Sequence, residues 1–238
     1  MAERPGMLDE DIRVTTDIAI FTILEGHLKV LLIRRRDTPF RNKLALPGGH
    51  VRRNEDVKSA ADRELGEETN IPGKTLILDQ LAVKSEPKRD PRTRVITVPF
   101  VAIAPDVSTP KAGSDALEVT WVDADGVVDG SVKVAFDHRE IVRDAREHVR
   151  AKLESTTIAT GFCADEFTIG DLRTVYETVW GIQLDPRNFN RKVLHTIGFV
   201  KPTGKQRSTG LGRPAMLYRA GGEKILRPPM LRTEESRG

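Results

Sequence analysis

The chain has 238 residues, with 38 Lys and Arg against 35 Asp and Glu for a formal charge of +3, and 38% of it is hydrophobic. At roughly 150 residues per domain, that length holds one full-sized fold and a smaller module, and a charge so close to balance singles out no partner. The longest apolar run, Val98 to Ala104, is far short of the roughly 18 residues of a membrane span, so no membrane association is expected. Met1 to Arg13 lacks the apolar core of a secretory signal, and Cys163 is the single cysteine. These features exclude an internal disulfide and a cysteine-based zinc site, and they point to a reducing, cytoplasmic setting.

Residues 1–13 are polar and read as a flexible N-terminus. Strand-like segments follow at Ile18 to Leu24 and Lys29 to Ile33 around a turn at Glu25-Gly26-His27, and then at Leu44 to Val51 around Pro47-Gly48-Gly49. A helix is expected over Glu55 to Thr69, with Asn54 as its N-cap. Three β-branched segments come next: Leu76 to Val83, Val95 to Ala104 and Leu117 to Val122. An amphipathic helix then places Ile141, Ala145, Val149 and Leu153 on one face at i+4 spacing. Mixed strands flanked by helices predict an α/β (α+β) sandwich over residues 14–155. Residues 156–162 read as a linker, 163–222 as a second module and 223–238 as a flexible tail.

Charge divides the same way. Residues 156–238 carry 13 basic and 8 acidic side chains, and the preceding 155 carry 25 and 27. The small net charge is therefore the sum of an acidic part and a basic part.

In the first helix, Glu64, Glu67 and Glu68 fall within one sector at 100° per residue, together with Val57, Ala60 and Ala61. Three carboxylates on a face turned toward the protein repel one another, and desolvation raises that cost. An acidic surface helix is the plain alternative, but the small alanines on the same face weigh against it. A hard divalent cation resolves the conflict, since Mg²⁺ takes carboxylate oxygens and keeps positions for water and substrate phosphates. The Gly48-Gly49 turn lets backbone groups approach the ion or a diphosphate, so Gly48 joins Glu64, Glu67 and Glu68 as a metal-ligand candidate.

This segment resembles the Nudix box, G-x5-E-x7-R-E-U-x-E-E-x-G-U with U aliphatic. Gly49, Glu55, Arg63, Glu64, Leu65, Glu67, Glu68 and Ile71 stand at its positions, and Asn70 replaces the late glycine. The resemblance implies a nucleoside-diphosphate site with Mg²⁺ or Mn²⁺ held by Glu64, Glu67 and Glu68. It makes Arg63, Glu67 and Glu68 the catalytic candidates, with Glu67 or Glu68 nearest the attacking water, and Gly49, Glu55 and Arg63 hold loop and helix together. Gln80-Leu81 with Arg89-Asp90-Pro91-Arg92, and His138 after Phe136-Asp137, are similar to the pattern of Nudix proteins that handle ADP-ribose-type ligands. In the run Arg34-Arg35-Arg36, the ligand candidates are Arg34 and Arg36, with Arg89 and Arg92 beyond. A solvated basic loop is the alternative for both clusters.

In the second module, Thr168 to Asp171 reads as a capping box, Leu172, Val175, Tyr176 and Val179 as an apolar helix face, and Gly181 as its stop. Asp185-Pro186 opens a second helix with Phe189, Val193 and Ile197 facing inward. Its other face presents Arg187, Asn188, Arg191, Lys192 and His195. Phe199 to Lys201 and Ala215 to Arg219 are expected to pair around a basic loop holding Lys205, Arg207 and Arg213. This is the layout of a winged helix-turn-helix, with Arg and Asn suited to base edges and phosphates of duplex DNA. A basic protein-contact module is the other reading.

Phe167, Thr168, Asp171, Leu172, Tyr176, Glu177, Asn188, Phe189, Arg191, Lys192, Gly212, Arg213, Pro214, Leu217 and Tyr218 resemble the NrtR-type Nudix-related regulators of NAD metabolism. Leu44 departs from the Trp often found before the Pro-Gly-Gly turn there. The resemblance implies a homodimeric repressor of NAD biosynthesis or salvage genes. Its winged helix would bind a palindromic operator through Arg187, Asn188, Arg191, Lys192, Lys205, Arg207 and Arg213, and its Nudix domain would sense ADP-ribose or a related nucleotide. The alternatives are a Mg²⁺-dependent ADP-ribose pyrophosphatase with an accessory module, which the complete carboxylate set keeps open, and an RNA-processing or nucleotide-sanitising Nudix enzyme.

Overall fold

The apolar stretch beginning at Ile18 forms the centre of the longest strand, β1 (Arg13–Leu24), whose residues Thr16 to Thr22 are all buried. The chain reverses through Glu25 and Gly26, both at positive φ (53° and 76°), the twist-compatible geometry of a two-residue hairpin, and returns as β2 (His27–Arg35). The structure is a computed structural model and is described for residues 12–69, 76–105, 116–208 and 214–232.

Short strands β3 (Leu44–Ala45) and β4 (Gly48–His50) follow, then α1 (Val57–Thr69), β5 (Ile77–Gln80), β6 (Val95–Ile103), β7 (Ala116–Asp123), α2 (Ala124–Asp129) and α3 (His138–Ser155). Among the described residues, seven strands make one mixed sheet in the order β3-β2-β1-β6-β5, with β4 on β1 and β7 on β2. β1 and β6 are parallel, from Arg13 opposite Val95 to Phe21 opposite Ile103, and the other pairs are antiparallel.

Alternation along β1 sends Ile18 and Ile20 to one core with Ala61 and Leu65 of α1, and Ala19 and Phe21 to the other with Ile141, Ala145, Val149 and Leu153 of α3. Both sheet faces are therefore covered, which is the expected sandwich. Two details differ from expectation. Asn54 does not cap α1; Asp56 does, its Oδ1 accepting from Ser59 N at 2.7 Å. The short helix α2 left no signal in six residues, and Asp123 caps it by accepting from Asp125 N.

The connector is a 3-10 helix, Thr157–Phe162, which buries Ala159 and Phe162. Beyond it, α4 (Ile169–Trp180), α5 (Pro186–His195) and the antiparallel pair β8 (Val200–Arg207) and β9 (Ala215–Ala220) form the winged helix. The Thr168–Asp171 capping box is present, and Gly181 ends α4 in the left-handed conformation. Ile197 does not face inward: it lies past the end of α5 and is 81% exposed. Phe189 and Val193 fill the core with Tyr176 and Trp180, whose rings meet edge to face at 4.8 Å.

This core is continuous with that under α3. Tyr176 Oη donates to Leu153 O at 3.0 Å, Trp180 Nε1 to Arg150 O at 3.1 Å, and Arg150 Nε to Val179 O at 2.8 Å. The expected flexible tail is corrected for residues 223–232. They run back to the end of α3, where Leu226 N and Met230 N donate to Ser155 O and Glu154 O at 2.8 Å each, burying Leu226 and Met230. Residues 1–11 and 233–238 lie outside the described set. No described helix is long and apolar enough to cross a membrane.

Candidate functional sites

The loop from β4 into α1 is built around Arg63. Its guanidinium donates to Glu55 at 2.6 and 3.0 Å, to Glu64 at 2.6 Å, to Glu67 at 3.1 Å and to His50 O at 3.1 Å. Glu55 also accepts from Arg52 N at 2.8 Å, and the Arg63 and Arg52 donors pull its carboxyl down to a pKa of about 2. Glu64 moves the other way: burial raises its carboxyl above the usual range even with Arg63 beside it. Arg63, bonded first of all to Glu55, is held charged at any accessible pH. Glu68 is buried, and its Oε2 accepts from Gly48 N at 2.7 Å.

Both glycines are required by space. A Cβ on Gly48 would lie 2.1 Å from Thr16 O, and one on Gly49 would lie 2.3 Å from Glu64 Oε1. Gly48 thus lets β4 close onto the β1 backbone, and Gly49 lets it close onto the Glu64 carboxylate of α1.

Glu64, Glu67 and Glu68 line one wall of a cleft of about 430 Å³. As hard oxygen donors in a cleft they suit a divalent cation. In the arrangement present, however, Glu64 and Glu67 are turned to Arg63, and the described residues contain no group of three or more His, Cys, Asp or Glu side chains drawn together as a ready metal site. The same cleft is also lined by Arg35 and Arg92. Arg92 is held flat by both oxygens of Asp90, at 2.7 and 3.1 Å. Arg35 lies over the Phe136 ring at 4.8 Å from its centroid, and burial and the nearby Arg92 both disfavour its charge. An incoming anion would relieve that. A cleft lined by carboxylates and by guanidinium groups, with an aromatic ring beneath Arg35, can hold a molecule carrying phosphates and a planar base.

The other arginine candidates stand differently. Arg34 faces away from the cleft and pairs with Glu118 at 2.8 Å, and Arg36 is exposed and also outside it. Alternation along β2 puts Arg35, with Ile33, on the cleft side, and that parity is the signal that could have found it. Arg89 lines the cleft but is only 5% exposed, pinned by Asp137 at 2.7 Å and Asp17 at 3.2 Å. It serves as a buried tie. Phe136 was not among the expected ligand residues. It sits at a φ of 50° and meets Phe40, also at positive φ (63°), edge to face at 4.7 Å. Bulky residues held in the left-handed region carry strain of the kind that gathers at binding sites. His138 is buried, its Nδ1 accepting from Leu46 N at 2.8 Å, which leaves the ring proton on Nε2, 3.4 Å from Asp17. Burial lowers its pKa, so it is neutral.

On the winged helix, Arg187, Asn188, Arg191, Lys192 and His195 all lie exposed on α5, as the helical spacing predicted. Arg191 donates to Asn188 Oδ1 at 3.1 Å, which aligns the two side chains. Lys205 and Arg207 lie in β8 rather than in a loop, and Arg213 is outside the described residues.

A two-layered cleft carrying this helix, followed by a winged helix, defines a Nudix domain joined to a DNA-binding module. Comparison with known proteins agrees. Residues 14–145 match the family described as the NUDIX domain, and residues 161–220 match the NrtR DNA-binding winged helix domain. The ADPR-responsive transcriptional repressor NtrR of Acinetobacter baylyi is 30% identical over 208 residues, covering 87% of this chain and 81% of its own length. An ADP-ribose pyrophosphatase of Methanocaldococcus jannaschii is 40% identical over 129 residues, covering 53% of this chain and 71% of its own. The crystal structure of Shewanella oneidensis NrtR with a 27mer DNA superimposes with a TM-score of 0.77 at 27% identity, covering 92% of this chain and 99% of that one. The Nudix domain of that protein in complex with ADP ribose gives 0.54 at 26% identity, over 62% and 94%. The chain belongs to the NrtR family of Nudix-containing transcriptional regulators.

Proposed function

We propose that the chain is a repressor of genes for NAD synthesis or salvage, with one functional unit over residues 14–155 that binds ADP-ribose or a close relative and a second over 163–222 that binds a palindromic operator as a homodimer. The observation that carries this is α3. Its first residue, His138, lines the cleft, and its last turns hold α4 through Arg150 and Leu153. One rigid helix therefore touches both the ligand site and the DNA-binding module. An effector that binds one placement of α3 better than another changes the population able to bind DNA, and DNA biases the effector site equally.

In this reading the diphosphate lies between the α1 carboxylates and the guanidinium groups of Arg35 and Arg92, with the base near Phe136. Glu64, Glu67 and Glu68, with Gly48, would hold Mg²⁺ or Mn²⁺, and Arg63 positions two of these carboxylates. The ion would neutralise diphosphate charge. Arg187, Asn188, Arg191 and Lys192 enter the major groove, with Lys205, Arg207 and Arg213 on the backbone. Titrating full-length protein against duplex from its own upstream region, with and without ADP-ribose, tests the reading. A changed affinity is expected, and equal affinity in both overturns it.

A second reading, hydrolysis of ADP-ribose to AMP and ribose 5-phosphate, is favoured by the retained Glu64, Glu67 and Glu68 and can coexist with the first. AMP release with Mg²⁺, lost in Glu68→Gln while ADP-ribose still binds, would establish turnover. No release leaves the sensor alone.

A further inference from the structure

Three cations of the wing converge on one acidic spot. Lys205 Nζ lies 3.0 Å and Arg219 Nη2 2.7 Å from the same oxygen of Glu166, and Arg207 Nη1 lies 2.9 Å from Asp171 Oδ2. Arg207 Nη2 also donates to the Glu166 carbonyl at 3.3 Å. The register of β8 and β9 sets a further cation, Lys201, directly opposite Arg219. The basic side chains stand in solvent, at 64%, 45% and 61% exposure for Lys205, Arg207 and Arg219, and the Glu166 side chain is only 21% exposed at the centre of the group.

These pairs are not what docks the wing. Phe167 and Tyr218 already exchange both backbone hydrogen bonds, at 2.9 and 2.7 Å, which stitches the segment before α4 to β9. Exposed ion pairs add little to stability beyond such a backbone tie. Lys205 and Arg219 share the Glu166 carboxylate, and Arg207 meets the carbonyl of the same residue and the Asp171 carboxylate beside it; a phosphodiester offers one negative charge and several oxygen acceptors to such a group of donors.

We infer that Lys205, Arg207 and Arg219 form a fork for a backbone phosphate of duplex DNA, and that Glu166 occupies it until the duplex arrives. The inference rests on the DNA-binding reading of the winged helix. Glu166 is then a built-in competitor: it holds the fork open and aligned, and it reduces affinity for DNA of any sequence. Binding exchanges the Glu166 carboxylate for a phosphate at Lys205 and Arg219, with Arg207 alongside, so fewer counterions are released than the number of wing cations implies.

Opposite signs test this. For full-length protein on a duplex of random sequence at low salt, Glu166→Gln is expected to bind about twofold to fivefold tighter. Its plot of log K against log salt should be steeper by about one unit. Lys205→Gln and Arg219→Gln should bind more weakly, with a slope shallower by about one unit. Glu166→Asp, which keeps the charge, should stay near wild type, and thermal midpoints confirm that each variant is folded. If Glu166 merely supports the wing, removing either side of the pair weakens binding; that result, or unchanged affinity of Glu166→Gln, overturns the inference. Loss of operator preference in the wild type would instead refute the operator reading, while the random-duplex arms still decide the fork.

Discussion

The Nudix cleft and the winged-helix face both concentrate charge, but they hold it in opposite ways. In the cleft, Arg63 and Arg89 are nearly enclosed and each satisfies two or more carboxylates. On α5, Arg187, Arg191 and Lys192 stand in solvent. The first arrangement is stability and geometry: remove one member and a buried partner is stranded. The second is surface held ready for a partner that is not part of the fold, and its removal should cost binding while leaving the fold intact.

The largest effect expected from that contrast is in the cleft. Arg89→Met leaves Asp17 and Asp137 without their shared cation in a buried setting, a loss of about 3–5 kcal/mol by analogy with broken buried pairs. Urea unfolding measures it; a change as small as that of a surface mutation would erase the distinction drawn above. On the other side, Asn188→Ala or Arg191→Ala should cost about 1–3 kcal/mol of operator affinity if either pairs with a base edge, with the unfolding curve unchanged. Fluorescence anisotropy with the upstream duplex reads the first, and urea the second.

A smaller effect separates the halves by pH. Burial lowers the folded-state pKa of His138, and its Nδ1 already accepts a backbone hydrogen bond. The unfolded chain takes up a proton near the ordinary histidine value that the folded chain refuses. Stability is therefore full above that value and falls as the pH drops below it, by up to about 1.4 kcal/mol per unit. His138→Asn, whose Oδ1 stands where Nδ1 did and keeps an acceptor for Leu46 N, should flatten that part of the profile in thermal unfolding measured from pH 7.5 to 5.5. Smallest of all is Ile197→Ser. Exposed beyond the end of α5 and buried against nothing, Ile197 should change stability by less than about 0.5 kcal/mol, and a larger loss in calorimetry would mean that a partner surface covers it.

Legibility followed the range of the interaction. Arg63, Glu64, Glu67 and Glu68 share one helix, so their fixed spacing carries their geometry, and the same holds for the capping box at Thr168 and the cation face of α5. Two features depend on distant pairing and were hidden. Arg35 meets Phe136 only because the end of β2 and the segment before α3 are brought together across a hundred residues of chain. Lys205 lies in a strand, not a loop, and finds Glu166 at a separation of 39 residues. The choice of Arg34 and Arg36 over Arg35 reads the run of three arginines for charge alone and passes over the alternation that puts Arg35 on the side of Ile33. The tail misled for a related reason: Pro228-Pro229 and mixed charges read as loose chain, whereas Leu226 and Met230 are two isolated anchors, too few to form a pattern.

That returning segment has a mechanical consequence. The chain leaves the end of α3 through the connector and comes back to the same turn at Ser155 and Glu154 after completing the winged helix. The DNA-binding module is thus moored at both ends to one point, like a handle riveted twice rather than a flap on a single hinge. Such a joint fixes both ends of the module to α3, and the bonds from Arg150 to Val179 O and from Tyr176 to Leu153 O tie α4 to the same helix. In the homodimer proposed above, the spacing between two recognition helices would have to match the helical repeat of DNA, so a roll of α3 in each protomer would move both helices together.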